Sequence, residues 1–484
     1  MTPMNSSDIT ALLPLILITA TAVVVMIAAA IRRSHAVAAV LTLLGLAITF
    51  ASLWYVSPLA PRQVGPLLTI DGYSLFYTGL IVAATAAVVV LSYGYFERQT
   101  EHREELYILI LVAVLGSMVL VASDHFISFF LGLEILSIAL YALNAYLRDR
   151  ALPLEAGIKY LILAAASAAF LLFGMAFIYA ELGTMQFTRI ASLMLGGSNL
   201  DQPVLVAGLA LIITGFGFKL ALVPFHLWTP DIYEGAPAPV TAFVATVSKG
   251  AMFALLLRYF YTISIRRFDS IFLVLAIIAV ASMIAGNVLA LLQNNVKRIL
   301  AYSSIAHMGY VLVAFLAGGA MGAQAVTFYL VAYFITTLGA FGVVTVLSPS
   351  DRDADRLEDY TGLFWRRPAL GSILTLMLLS LAGIPLTAGF FGKFYIVAAG
   401  ASSAIWGLII VLVLTSVVGL YYYLRVVVAI FSAPEAAAEE LPLLPVPASS
   451  GIILGVLGLL LVWLGVYPGY LLGIVTTAVR SITH

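Results

Sequence analysis

Residues 211–250 read LIITGFGFKLALVPFHLWTPDIYEGAPAPVTAFVATVSKG. The first part of this stretch is apolar enough to cross a membrane, but it contains Lys219 and is then interrupted by Pro224. Proline lacks an N–H group and its ring clashes with the carbonyl four residues earlier, so the helix should break within a turn of the lysine. A lysine at mid-bilayer costs about 2.5–3.5 kcal/mol and is rare unless it faces protein or water. The stretch therefore predicts a broken membrane helix beside a buried charge, which is typical of an ion path.

The composition of the whole chain predicts an integral membrane protein. Of 484 residues, 63% are hydrophobic and only 10% are charged, whereas soluble domains have roughly 25% charged residues. The apolar runs are long and do not alternate with polar residues, which favours helices over a barrel. Fourteen such segments lie between residues 9 and 473. We therefore expect an all-α, polytopic protein with about fourteen transmembrane helices.

Several function classes lack their sequence signals in this chain. Without cysteine there are no thiolate ligands for an iron–sulfur cluster and no disulfides. The six histidines are scattered, and no HExxH, GxGxxG or GxxxxGK[ST] motif occurs. The net charge is zero, with no basic tail for nucleic acid. We expect no flavin, cluster, metal or nucleotide in this chain, and no nucleic-acid partner.

Basic residues in the connections predict the orientation, because cytoplasmic loops contain an excess of Lys and Arg. If both termini face outward, five basic residues lie outside. These are Arg62, Arg189, Arg266, Arg267 and Arg480. The same topology places twelve basic residues inside. These are Arg32, Arg33, Arg98, Arg103, Arg148, Arg150, Lys297, Arg298, Arg352, Arg356, Arg366 and Arg367. We predict a multi-pass protein of a bacterial plasma membrane with both termini on the outer side.

The connections are too short for a soluble domain. The segment 432–448 is acidic and proline-rich, and the segment 351–359 has mixed charge. Both are expected to be solvated loops, with contacts to partner subunits as the alternative.

Lysine is used sparingly, at five positions only. Lys159 and Lys297 lie near predicted helix ends, where a long side chain can reach the membrane surface. Lys219, Lys249 and Lys393 fall inside apolar segments. An arginine stays charged, whereas a lysine can lose its proton on burial. The membrane interior thus uses the basic side chain that can exchange a proton.

Two further features accompany these lysines. Glu134 is the only acidic residue deep within an apolar segment. Lys393 follows a second interruption, in which Pro385 lies among Gly383, Gly389 and Gly392. The seventh and twelfth hydrophobic segments are therefore both predicted to be discontinuous, each close to a buried lysine.

Matching interruptions in two halves are a sequence indication of inverted repeats around a midplane site. Segments four to eight and nine to thirteen form two sets of five, and an odd number of crossings gives the sets opposite orientation. The predicted units are three N-terminal helices (1–103), a first five-helix repeat (104–265), a second repeat (266–432), and a loop with the last helix (433–484).

Structural roles are the alternative for these groups. Lys219 could simply pair with Glu134, but three interior lysines cannot all be neutralised by one glutamate. Desolvation lowers a lysine pKa and a nearby carboxylate raises it, so contact with Glu134 would hold Lys219 protonated and separation would let it release the proton. For His226 and His307 the alternative is a hydrogen-bonded core or interface group. Asp124 and Asp231 lie at segment ends and are expected to face water, and Tyr421–Tyr423 are expected to be interface aromatics.

Three motifs resemble one known family. They are GFKLALVPFHLWTPDIYEGAPAPVTAF (217–243), SSIAHMGY (303–310) and LSLAGIPLTAGFFGKF (379–394). They are similar to the antiporter-like membrane subunits of NADH–quinone oxidoreductase, respiratory complex I, and most similar to its subunit N branch, which includes mitochondrial NADH dehydrogenase subunit 2. Sister subunits L and M and the related Mrp antiporters usually have H-T-W-L-P-D where residues 226–231 are HLWTPD.

The resemblance implies two inverted five-helix repeats and proton translocation driven by quinone reduction elsewhere in an enzyme complex (EC 7.1.1 class). It implies that Glu134 and Lys219 form a modulating pair, that Lys249 is the central relay lysine, and that Lys393 is the terminal one. By the same resemblance, His226 and His307 support the path. Flavin, iron–sulfur clusters and quinone belong to partner subunits, and the expected neighbours are subunits M, K and J.

Three other functions stay open from the residues alone. A free-standing Mrp-type cation/proton antiporter would need a cation site, for which a single deep carboxylate among lysines is poorly suited. A quinone-binding redox subunit would need cofactor ligands. A non-pumping structural subunit would leave the interior lysines unexplained.

Overall fold

The computed structural model describes residues 5–98, 103–196, 203–263, 269–433 and 445–483. Within these ranges, thirteen helices are long and apolar enough to cross a membrane. One further crossing consists of two shorter helices, Pro368–Ala382 and Ala388–Ser402. The predicted all-α fold with about fourteen transmembrane segments is confirmed.

The helices follow one another along the chain with short connections. They are α1 (Ser6–Ala11), α2 (Leu13–Ile31), α3 (His35–Val56), α4 (Gly72–Phe96), α5 (Glu104–Ala122), α6 (Phe126–Asn144), α7 (Ala151–Leu182), α8 (Phe187–Gly196), α9 (Pro203–Leu220), α10 (Trp228–Gly235), α11 (Ala238–Phe243), α12 (Lys249–Ile263), α13 (Asp269–Leu291), α14 (Val296–Ala317), α15 (Gly319–Leu347), α16 (Leu363–Arg366), α17 (Pro368–Ala382), α18 (Ala388–Ser402), α19 (Trp406–Phe431), α20 (Ala448–Val466) and α21 (Pro468–Thr483). Short 3₁₀ turns cover Ser57–Leu59 and Leu357–Tyr360, and a π-helical segment covers Val244–Ser248.

The seventh crossing is discontinuous, as the sequence predicts. α9 ends at Leu220, and Ala221 has a φ of 60°, a left-handed conformation that no α-helix continues. α10 begins only at Trp228, whose indole N–H donates to the carbonyl oxygen of Phe218 at 2.8 Å. This bond satisfies one of the carbonyl groups that a helix end leaves free. The break is therefore an ordered connection, in which a hydrogen bond joins the two half-helices.

The twelfth crossing is broken in the same manner. α17 ends at Ala382, Gly383 has a φ of 87°, and α18 starts at Ala388. The N–H of Gly389 donates to Oγ of Ser380 at 3.1 Å. A side chain at Gly389 would collide with the carbonyl oxygen of Ser380, so glycine is required where the half-helices approach.

Three crossings form the centre of the bundle. The crossing from α11 to α12, together with α14 and α15, is buried along nearly its whole length, whereas α2, α7 and α19 expose much of theirs. Gly116 of α5 packs on backbone atoms of Gly132 and Leu136 in α6. At an identical sequence interval, Gly286 of α13 packs on Tyr302 and Ala306 of α14.

One end of the bundle, which we call the hairpin end, contains two short strands that the sequence patterns do not predict. Strands Arg62–Val64 and Leu68–Ile70 form an antiparallel hairpin. The N–H of Asp124 donates to the carbonyl of Leu67 at 3.1 Å. Asp124 is 8% exposed, so its assignment as a water-facing residue is wrong, because the hairpin covers it.

Beside the hairpin, a buried ion pair joins α4 to α12. Arg258 donates from its two terminal nitrogens to the two carboxylate oxygens of Asp71, each at 2.9 Å. The guanidinium lies 5.1 Å from the ring centre of Tyr73, whose hydroxyl donates to the carbonyl of Ala254 at 2.8 Å. The N-terminal helices are thus fixed to the central crossing.

The opposite end, which we call the arginine-rich end, is covered by the loop 351–359. Lys297 is fully buried and its Nζ lies 2.5 Å from Oδ2 of Asp353. Asn295 donates to Asp355 at 2.6 Å. The loop remains partly exposed, as expected of a solvated segment, but it also packs on the bundle and buries Lys297. The expectation that Lys297 reaches the membrane surface is wrong.

Other sequence predictions fall where the chain is not described. The acidic part of the segment 432–448 lies largely within residues 434–444, and Arg266 and Arg267 lie within residues 264–268. Both features lie outside the described residues.

Candidate functional site

Lys219 lies in the last turn of α9, directly before the break. Its Nζ donates to Oγ of Ser137 at 3.0 Å and to the hydroxyl of Tyr160 at 2.8 Å. The side chain is 3% exposed. The helix break therefore places an ammonium group among hydroxyl groups in the interior of the bundle.

Glu134 lies on α6, one turn before Ser137, and does not touch Lys219. No carboxylate oxygen lies within 4.0 Å of the Lys219 ammonium in the described part of the chain, and Ser137 occupies the nearer position. Glu134 is half-buried, between the exposed Leu131 and Ile138 of the same helix face. The structure thus shows Glu134 and Lys219 separated from each other, with the glutamate toward the outside of the bundle.

Lys249 begins α12, directly after the π-helical segment Val244–Ser248. Its Nζ donates to Oγ of Ser304 at 2.7 Å, and the side chain is 1% exposed. A π segment adds a residue to one helical turn and is frequent at functional sites. Here the extra residue determines the direction in which the Lys249 side chain projects from the helix.

Two aromatic rings separate Lys219 from Lys249. The Lys219 ammonium is 5.3 Å from the ring centre of Tyr160, which is 5.1 Å from that of Trp228. The Lys249 ammonium lies 5.9 Å from the Trp228 ring and 5.2 Å from the Tyr233 ring. Trp228 and Tyr233 both belong to α10, so the second half-helix of the broken crossing lies between the lysines.

A series of polar side chains continues from Lys249 into α14, α15 and α19. Ser304 also accepts from the hydroxyl of Tyr333 at 2.8 Å, and the ring centres of Tyr333 and His307 are 5.7 Å apart. His307 is 3% exposed and bonds to Tyr329 at 2.7 Å and to Tyr423 at 3.1 Å. Tyr423 is buried and also bonds to Ser303. The assignment of Tyr421–Tyr423 as interface aromatics holds for the exposed Tyr421 only, because Tyr422 and Tyr423 face the core.

Lys393 ends the series in α18. Its Nζ donates to Oγ of Ser416 at 2.6 Å and to the carbonyl of Ala382 at 2.9 Å, at the end of the preceding half-helix. It lies 5.2 Å from the ring centre of Tyr310, which is 5.4 Å from that of His307. Its position at the second break mirrors that of Lys219 at the first.

His226 lies in the gap between α9 and α10 and is 8% exposed. In the described ranges it makes no hydrogen bond to any lysine of the series. The structure thus places His307 in direct line with the lysines and His226 beside them.

The three interior lysines differ from the other two in their partners. No carboxylate of the described residues lies within 4.0 Å of Lys219, Lys249 or Lys393, whereas Lys159 pairs with Asp231 at 2.7 Å and Lys297 with Asp353. Burying an ammonium group without a counter-ion is costly. The structure therefore does not use these three lysines as ion-pair partners.

Several members of the series were not singled out from the sequence. They are Ser137, Tyr160, Ser304 and Tyr333, whereas Trp228 lies in a quoted motif and Tyr423 was expected to be an interface aromatic. Only Ser304 has a sequence signal, since it lies one helical turn before His307 within one motif. The described residues contain no group of three or more His, Asp or Glu side chains that could hold a metal ion.

Comparison with known proteins identifies the family. Residues 123–419 match the family model described as NADH:quinone oxidoreductase/Mrp antiporter, TM. NADH-quinone oxidoreductase subunit N of Methylococcus capsulatus is 48% identical over 96% of this chain and 94% of its own length. The protein of the same name from Ectopseudomonas mendocina is 48% identical over 98% and 97%. The chain belongs to the NADH-quinone oxidoreductase subunit N family.

Solved structures agree with this assignment. A chain of respiratory complex I from Thermus thermophilus superposes with a TM-score of 0.82 at 36% identity, covering 95% of this chain and 98% of that one. A chain of the Mrp complex from Dietzia sp. has a TM-score of 0.85 but only 18% identity, covering 99% and 98%, and shows the fold alone. The protein is an antiporter-like, proton-translocating membrane subunit of complex I, and it assembles with other membrane subunits.

Proposed function

We propose that protons cross this subunit along the series formed by Lys219, Lys249 and Lys393, with Glu134 modulating Lys219. The observation that supports this is the set of partners: the three interior ammonium groups bond to hydroxyl and carbonyl oxygens and, among the residues that the structure describes, to no carboxylate. A lysine held only by neutral acceptors can release its proton without leaving a buried anion behind.

The intervening groups suit transfer between the lysines. Hydroxyl and imidazole groups both donate and accept hydrogen bonds, so Ser304, Tyr333 and His307 can hand a proton from Lys249 toward Lys393. Tyr160 and Trp228 separate Lys219 from Lys249, so we place a controlled step there. His226, within the break, has a supporting role at that step.

Glu134 acts on Lys219 through space in this proposal. Moving its carboxylate toward Ser137 would favour the charged lysine, and withdrawing it would favour proton release. Because Glu134 faces outward, a neighbouring subunit can change this distance. The movement of protons in this chain therefore depends on its partners.

The wider assignment follows from the family. We infer that the arginine-rich end faces the bacterial cytoplasm, which puts both termini outside, and that subunits M, K and J are the neighbours. The chain contributes to the NADH:quinone oxidoreductase reaction (EC 7.1.1 class) without a redox centre of its own, while flavin, iron–sulfur clusters and quinone are bound elsewhere in the complex. The equal glycine contacts of α5–α6 and α13–α14 support two inverted five-helix repeats, 104–265 and 266–432.

The decisive experiment is Lys219→Ala in the assembled complex, with electron transfer and proton uptake measured together. We expect both to fall while assembly is kept, because the two processes are coupled. Lys159→Ala is the matched control, since that lysine is paired and 41% exposed. Unchanged pumping in Lys219→Ala would contradict the relay, and loss of assembly would favour a structural role for the lysine.

A further inference from the structure

A cavity of about 430 Å³ opens at the arginine-rich end, between the start of α7, the α10–α11 connection and the loop 351–359. Four carboxylate residues line it: Glu234, Asp351, Asp353 and Asp355. Burial raises the pKa of the Asp355 carboxyl, so this group binds protons more readily than an ordinary aspartate. Three arginines, Arg150, Arg352 and Arg356, also line the cavity, so Asp355 is the group in it that can hold a proton.

Asp353 of the cavity lining pairs with Lys297, which lies directly behind it. Besides Asp353, the Lys297 ammonium donates to the carbonyl oxygens of Glu234 at 2.8 Å and Ala236 at 2.7 Å. Asp353 accepts from the hydroxyl of Tyr95 at 2.7 Å. Lys297 is fully buried, so it lies behind the cavity wall and closes its inner end.

Lys249 is connected to the same helix as Lys297, through Ser304. Lys297 and Ser304 are both on α14, two turns apart on one face, which is about 10 Å along the axis. Ser304 accepts from Lys249 at 2.7 Å. Tyr233, adjacent to Glu234 of the cavity wall, is within 3.4 Å of Ser304 and its ring is 5.2 Å from the Lys249 ammonium. The Lys297–Asp353 pair and about two turns of α14 therefore lie between the cavity and Ser304, and Tyr233 links the cavity wall to Ser304 and Lys249.

We propose that this cavity is the opening through which protons enter the subunit, and that the Lys297–Asp353 pair gates their passage to Lys249. The inference rests on the proposed relay and adds its starting point. Asp353 is the carboxylate of the cavity lining that forms the gate with Lys297. Lys297 is a positioning residue that opens the way when it leaves Asp353 and keeps its carbonyl acceptors.

The competing explanation is that the Lys297–Asp353 pair has a fixed structural role, because Lys297 also binds the carbonyl groups at the end of α10. The two explanations differ in their dependence on proton supply. If the pair is a gate, removing its carboxylate should slow turnover most at alkaline pH, where protons are scarce. If the pair is only structural, the effect of removing it should be the same at every pH. The charged groups that face the pair and enter this comparison are Arg150, Glu234, Asp351, Arg352, Asp355 and Arg356.

The first test is Asp353→Asn in the assembled complex, with coupled NADH:quinone turnover and proton uptake followed from acidic to alkaline pH. We expect a loss on the order of tenfold at alkaline pH, with recovery toward the unsubstituted rate at acidic pH. A loss by the same factor at every pH, or no loss, would overturn the gate.

The second test does not depend on the ion pair and uses the absence of cysteine from this chain. Asp351→Cys places a thiol in the cavity lining, and Glu358→Cys places one on the same loop outside it; both side chains are exposed. A bulky maleimide applied from the arginine-rich side should lower coupled turnover in Asp351→Cys alone, relative to the unsubstituted complex treated identically. Equal inhibition of the two variants, or of neither, would place the opening elsewhere.

These outcomes are distinguishable from failure of the relay itself. If Lys219→Ala abolishes pumping while Asp353→Asn and the labelled Asp351→Cys do not, the relay stands and its opening is wrong. If Lys219→Ala pumps normally, the relay fails whatever the cavity variants do.

Discussion

Replacing Asp71 by Asn tests whether the buried pair with Arg258 holds the N-terminal helices to the centre of the bundle. Asp71 is 2% exposed and Arg258 6%, and two bonds of 2.9 Å join them. Asp71 also caps α4 by accepting from the N–H of Ser74 at 2.8 Å. Asparagine keeps this cap, so the substitution removes mainly the charge.

The expected cost follows from the burial. An arginine left uncompensated inside a protein destabilises it by about 3–5 kcal/mol, and every 1.4 kcal/mol is a factor of ten. Asp71→Asn should therefore lower the ratio of folded to unfolded subunit by roughly two to three and a half powers of ten. The Tyr73 ring lies beside the guanidinium with or without the substitution, so this contact does not offset the loss.

The assay is the yield of assembled complex in membranes together with its thermal inactivation midpoint. Asp71→Asn should reduce both, and Asp71→Asn with Arg258→Met should restore part of the loss, because the second substitution removes the unpaired charge. Glu155→Gln is the control: it breaks an exposed pair with Lys159, which is worth a fraction of 1 kcal/mol.

Two results would refute this reasoning. The first is an Asp71→Asn complex as stable as the unsubstituted one, which would mean that the guanidinium is solvated. The second is a double variant less stable than Asp71→Asn, which would mean that packing of the arginine stem matters more than its charge.

Three further predictions concern the relay, the second break and the hairpin end. Lys249→Arg should abolish coupled proton uptake, since arginine does not release its proton, while Lys159→Arg leaves uptake measured in vesicles unchanged. Gly389→Ala should lower assembly, because the new methyl group meets the carbonyl oxygen at the end of the preceding half-helix, whereas Gly407→Ala has open space and should assemble normally. Burial raises the pKa of the Asp124 carboxyl above its ordinary 3.8; the stability that this group contributes is full below pH 3.8 and is lost as pH rises through the raised value. Asp124→Asn should therefore reduce the fall in thermal midpoint between acidic and neutral pH, and an unchanged fall would contradict the assignment.

The sequence predicts the crossings and the breaks well because their signals are local. Twenty apolar residues fix a membrane helix, and Pro224 and Pro385 disturb the bonds of their own segments. The three interior lysines are visible because charge is rare in such runs.

The partners of those lysines could not be predicted, because they come from distant segments. Tyr160 of α7 reaches Lys219 of α9, and Ser304 reaches Lys249 from α14, 55 residues further along the chain. Lys297 shows the same difficulty: it lies near a helix start, as surface-reaching lysines do, yet the loop 351–359 buries it completely. The hairpin was missed because strands of three residues leave too short a pattern.

The π-helical segment Val244–Ser248 has a consequence for how this chain tolerates changes in length. A π turn contains one residue more than an α turn, and each α-helical residue turns the chain by about 100°. Deleting a single residue from this segment would restore regular α-helical bonding and rotate Lys249 by about that angle relative to Ala238 at the start of the crossing. The lysine would then face away from Ser304, although its side chain, its burial depth and its neighbours in sequence were all retained. The extra residue therefore acts as a spacer that sets the direction of the central lysine, independently of the side chains that surround it.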